Sequence, residues 1–75
     1  MNVWQRNLAS LADEHERDGL QAEADSLRVC LVGCLDERNF RWILHHVLWW
    51  DGAMIEDHCN EVLSPKERVI HDILT

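Results

Sequence analysis

Between Phe40 and Trp50 the chain reads Phe-Arg-Trp-Ile-Leu-His-His-Val-Leu-Trp-Trp, and this segment limits the fold more than any other. Stepped at about 100° per residue, Phe40, Ile43, Leu44, Val47, Leu48 and Trp50 fall on one broad arc, the pattern of a helix with a wide buried face. Trp42, His45, His46 and Trp49 fall on the other side, where an ordinary surface helix carries charge. A helix with apolar bulk on both sides is either enclosed by its neighbours or turned with one face toward another chain. The rest of the fold is expected to be built around it.

The flanking segments repeat the helical period. From Asn2 to Arg17, Trp4, Leu8, Leu11 and His15 make one stripe with Ala12 beside it, and Asn2 is placed to cap the helix. Asp18-Gly19 is a turn signal, with Gly19 suited to a left-handed closing residue. From Leu20 to Leu35 a second helix is expected, with Leu20, Ala24, Leu27, Cys30, Leu31, Cys34 and Leu35 on one arc. Val29 and Val32 lie off that stripe, which suggests contact on a second side. Asp36 is a candidate N-cap for the central helix, and Asp51-Gly52 marks its expected end. The short connection at Asp36 suggests that the second and third helices form an antiparallel hairpin.

Ala53 to Leu63 reads as a fourth helix with Ile55, Cys59 and Val62 inward. Ser64-Pro65-Lys66-Glu67 then opens a fifth: Ser64 caps, Pro65 takes the first helical position, and Glu67 can bond back to the Ser64 amide. Its apolar side is Val69, Ile70, Ile73 and Leu74, so it must dock, exchange with a neighbour, or continue. No stretch sustains strand alternation and no heptad persists. The expected fold is therefore all-α: one domain over residues 1–75, a small bundle of four or five short helices in irregular or orthogonal packing.

A single core in 75 residues seldom supplies more than about 3–5 kcal/mol, so a disulfide, a metal or a second subunit is a common supplement. The three cysteines, Cys30, Cys34 and Cys59, do not make a disulfide framework. Reduced thiols in a cytoplasmic protein are the simpler expectation. The first twenty residues lack a signal-peptide pattern and no apolar run reaches membrane-spanning length. With 14 acids against 7 bases the formal charge is -7, which disfavours nonspecific contact with nucleic acid or anionic lipid. Self-association is the expected answer to the undersized core.

Cys30, Cys34, His46 and Cys59, with His45 and His58 nearby in sequence, supply zinc-ligand types, but without knuckle spacing or a His-Glu-x-x-His. Buried structural thiols are the plainer reading. His58 next to Cys59 is no catalytic dyad, because adjacent helical residues point about 100° apart. Neither a phosphate loop nor a nucleophile elbow is present, and no enzymatic activity and no cofactor are expected. Arg38 and Arg41, and Lys66 and Arg68, make two small positive spots rather than a basic stripe.

The segment Leu63-Ser64-Pro65-Lys66-Glu67-Arg68-Val69-Ile70 resembles the opening helix of the helix-turn-helix domain in LuxR-type regulators and sigma-factor region 4. That likeness covers about a tenth of the chain and stops before any recognition helix. What it would imply is DNA reading, which the charge does not favour.

The function expected from the residues is binding of another protein by a small acidic regulator or inhibitor, as a homodimer. The contact residues would be Arg38, Arg41, Trp42, His45, His46 and Trp49: the indoles as apolar anchors, the imidazoles for orientation, the arginines at the rim. Trp50 is expected to fill the core instead. A zinc-stabilised module, a purely structural self-assembling subunit and a nucleic-acid mimic are the alternatives.

Overall fold

A computed structural model describes residues 1–63 and 65–74. Five helices follow one another: α1 (Val3–Arg17), α2 (Gln21–Val29), α3 (Glu37–Leu48), α4 (Gly52–Val62) and α5 (Pro65–Leu74), with a 3-10 turn over Cys30–Gly33 between α2 and α3. The chain is all-α, a compact five-helix bundle with no strand among the described residues.

α1 starts where its cap permits. Asn2 Oδ1 accepts the Gln5 amide at 2.8 Å and Gln5 Oε1 accepts the Asn2 amide at 3.0 Å, so two otherwise orphaned donors are satisfied reciprocally. The same two side chains also reach across the fold. Asn2 Nδ2 donates to the Cys34 carbonyl at 3.1 Å, and Gln5 Nε2 to the Leu31 carbonyl at 3.1 Å. Trp4, Leu8, Leu11 and Ala12 are buried, as their stripe requires, and His15 Nδ1 donates to the Leu11 carbonyl at 2.8 Å.

Gly19 closes α1 at φ +82°. The Leu20 amide donates to the His15 carbonyl at 2.8 Å and the Gly19 amide to the Glu16 carbonyl at 3.0 Å, the paired bonds of a Schellman ending. A Cβ at Gly19 would meet nothing within 4 Å, so the conformation alone demands glycine. Gly19→Ala is therefore expected to cost about 1–2 kcal/mol and to lower Tm by several degrees in a thermal circular-dichroism melt; an unchanged Tm would contradict this account.

The turn lays α2 against α1 as the most extensively packed helix pair, and α2 also contacts α3. Arg28 on α2 clamps it, with Nη2 3.0 Å from both Asp13 and Glu16 on α1. The expected helix through Leu35 stops at Val29. Two β-branched valines and Gly33 are poor helix formers, and the side chains of Asn2 and Gln5 donate to the Cys34 and Leu31 carbonyls where the α-helical ladder ends. In the tighter turn Cys34 is carried into the core while Val29, Val32 and Leu35 face out. The second-side contact expected for the two valines is absent among the described residues.

Asp36 caps α3, its Oδ1 accepting the Asn39 amide at 2.8 Å. Phe40, Ile43 and Leu44 are buried, and Val47, Leu48 and Trp50 pack against the core at its edge. α3 ends at Leu48, earlier than expected. Trp49 takes the left-handed conformation at φ 60°, and Asp51 serves the next helix, with its Oδ1 accepting the Met54 amide at 2.9 Å. Asp51-Gly52 thus begins α4 and does not terminate α3.

Ile55 and Cys59 of α4 and Leu63 after it complete a core shared with Trp4, Leu8, Leu11, Leu27, Cys34, Phe40 and Leu44. Aromatic rings run through its centre. Trp4 and Phe40 sit 5.2 Å apart at 44°, His58 stacks on Phe40 at 5.9 Å, and Trp50 meets His58 edge-on at 5.5 Å. The described tie of α5 to the body is an ion pair from Arg68 to Glu37, whose other oxygen accepts from Arg41 at 3.0 Å. The cap expected at Ser64 lies outside the described residues.

Candidate interaction surface

With that core formed, part of the outward side of α3 is left uncovered by the described residues. Trp42 is 58% exposed. Its ring lies 4.3 Å from that of His46, and His45 meets His46 edge-on at 4.8 Å, so the three form a continuous ring surface along α3. The one-turn spacing from 42 to 46 brings the two rings together, tilted by 32°.

Trp42 also walls an open apolar groove of about 230 Å³, lined with Val29, Cys30, Gly33, Asn39 and Ile43. The groove runs between the 3-10 turn and α3, and Val32, next to Gly33, stands 84% exposed at its side. Unwinding of α2 after Val29 creates this surface. The valines were visible in the sequence as residues off the main stripe; the turn that presents them was not.

The remaining expected contact residues are distributed differently. Trp49 is 81% exposed but lies past the end of α3, so it does not share a helical face with Trp42. His45 Nδ1 donates to the Trp50 carbonyl at 3.2 Å and helps hold that reversal. Arg38 is exposed and makes no ion pair among the described residues. Arg41 is engaged within the fold, 2.8 Å from Glu56 and 3.0 Å from Glu37. Burial works against its charge, but hydrogen bonds to these two carboxylates hold its pKa above the ordinary value.

A second, more open groove lies along α4 between Trp50, Met54, Asp57, His58 and Glu61. The Nε2 of His58 is buried with no hydrogen-bond partner among the described residues, at the side of the aromatic stack. Acids rim this groove, whereas the groove beside Trp42 has apolar walls.

The described residues do not bring Cys30, Cys34, His46 and Cys59 together as a metal site: no group of three or more His, Cys, Asp or Glu side chains is placed to hold an ion. Cys34 and Cys59 are separate members of the core, while His46 is on the surface. Burial pushes the Cys34 thiol up to about 11, with Asp36 and Cys30 adding to the effect, and burial also raises Cys59. Both are therefore thiols near neutral pH, a form that neither attacks electrophiles well nor ligates metal without losing its proton.

No described helix is long and apolar enough to cross a membrane. Comparison with protein-family models, curated proteins and solved structures finds no match to this chain.

Proposed function

We propose that the chain is a small acidic protein-binding regulator that captures a partner protein on the Trp42 groove. The observation that carries this reading is an indole left largely in solvent beside an open apolar groove, on the helix whose opposite face already fills the core. An aromatic anchor next to a small apolar depression is the usual composition of a binding hot spot. A partner's aliphatic or aromatic side chain would enter between Val29 and Ile43 and be covered by Trp42. Asn39 and His46 supply polar direction, and Arg38, which makes no ion pair among the described residues, a cation at the edge. Regulation would follow from masking the surface that the partner uses elsewhere.

Affinity capture with the wild-type chain, followed by native mass measurement, is expected to return one specific protein in fixed stoichiometry. Trp42→Ala should weaken that complex by about 2 kcal/mol or more, roughly thirty-fold in Kd, with an unchanged helical spectrum. Equal binding by wild type and a folded Trp42→Ala variant would remove this groove as the site.

A further inference from the structure

We propose that α5 is a self-association seam, on which a second copy of this chain pairs its own α5. Val69, Ile70, Ile73 and Leu74 are all exposed, Ile73 by 76%, and none of the described α5 side chains is buried. Their spacing places them along one side of the helix. A helix of 10 residues is marginal in water by itself, because nucleation costs more than so few hydrogen bonds return. Every other helix of the bundle contributes buried side chains to the core, whereas among the described side chains of α5 none is buried and Arg68 pairs with Glu37. An apolar helix held in this way is stabilised by whatever covers its stripe.

The charge distribution permits a second copy as that cover, and the symmetry of the stripe favours it. Within α5, Lys66 and Arg68 offset Glu67 and Asp72, so the whole net charge of -7 resides elsewhere in the chain. Two copies meeting body to body would bring strongly acidic surfaces together. Meeting through α5, they join electrically balanced, apolar surfaces and hold the acidic bodies apart. The stripe is also self-complementary. In an antiparallel pair, Val69 lies level with Leu74 of the second copy and Ile70 with Ile73, as a twofold contact requires. Four aliphatic side chains from each copy make an interface toward the small end, below about 1,200 Å² in total, so the dimer should be weak and dissociate on dilution. The two Trp42 grooves would stay open, giving one dimer two binding faces.

The seam is separate from the Trp42 reading, and its test separates them. Sedimentation equilibrium of the full chain, from roughly 1 to 100 µM, spans the affinity expected for so small a contact. Wild type should move from the 8.8 kDa monomer toward twice that mass. Ile73→Glu should remain monomeric throughout. Leu74→Lys, which reduces the net negative charge, should weaken the dimer at least tenfold and so exclude simple charge repulsion as the cause. Trp42→Ala should dimerise like wild type. A wild type that stays monomeric, an Ile73→Glu variant that still dimerises, or a dimer lost only on Trp42→Ala would each overturn the seam. A monomer that still captures a protein through Trp42 would do so while leaving the proposed function standing.

Discussion

Phe40→Ala is expected to leave the chain largely unfolded at 25 °C. The ring is fully buried, 5.2 Å from Trp4 and 5.9 Å from His58, and it joins α1 and α4 from the first turn of α3. Truncating a buried phenylalanine costs about 3–5 kcal/mol, and loss of the ring pair adds about 0.5–1.5. A single core of this size seldom holds more than about 3–5 kcal/mol in reserve. Far-UV circular dichroism with urea titration reads the outcome directly. A variant with the wild-type urea midpoint would show that the core does not depend on this stack. Trp42→Ala, on an exposed position, should shift stability by no more than about 0.5 kcal/mol. The two aromatic truncations on one helix therefore separate folding from recognition.

The contrast between those residues was partly legible in the sequence. Phe40, Ile43 and Leu44 lie inward and Trp42 outward, as their angles on α3 require. α1 was legible for the same reason, since an uninterrupted stripe follows a capping residue and ends at a glycine. Legibility failed where the helical step changes. A 3-10 turn advances about 120° per residue, so the phase carried from Leu20 no longer applied at Leu35, which is exposed, although Cys34 still pointed inward. The groove beside Trp42 was therefore invisible as a site, even though Val29 and Val32 stood out.

Trp49 failed for a different reason. A bulky residue in the left-handed region is disfavoured by local sterics, and Asp51-Gly52 offered a cheaper ending. Tertiary structure overrides that preference: Trp50 packs its ring against His58, and Asp51 is needed as the cap of α4. The ion pairs from Arg41 to Glu56 and from Arg68 to Glu37 depend on helix packing that no single segment encodes.

Glu37 is where those packing contacts converge, and Glu37→Gln is expected to cost about 1.5–3 kcal/mol, the range for hydrogen bonds to charged groups. The cost falls below that of a fully enclosed ion pair because the Arg41 guanidinium is partly in solvent. Burial pushes the Glu37 carboxyl up, but hydrogen bonds from Arg68 and Arg41 outweigh it and hold the pKa below its ordinary value of 4.5. A depressed folded-state pKa means the unfolded chain takes up the proton first. The contribution of Glu37 is thus fully present above pH 4.5 and is lost as pH falls through the lower folded value. Urea midpoints measured from pH 7 down to pH 3 should fall less steeply below 4.5 for Glu37→Gln than for wild type. Parallel acid limbs would show that Glu37 is not linked to folding. Because Arg68 ties α5 to Glu37, the same acid range should also weaken the hold of the body on α5. If the α5 seam holds, dimer mass should decline over that range before the helical signal of the bundle does, since the Trp4–Phe40–His58 ring contacts do not include this carboxylate.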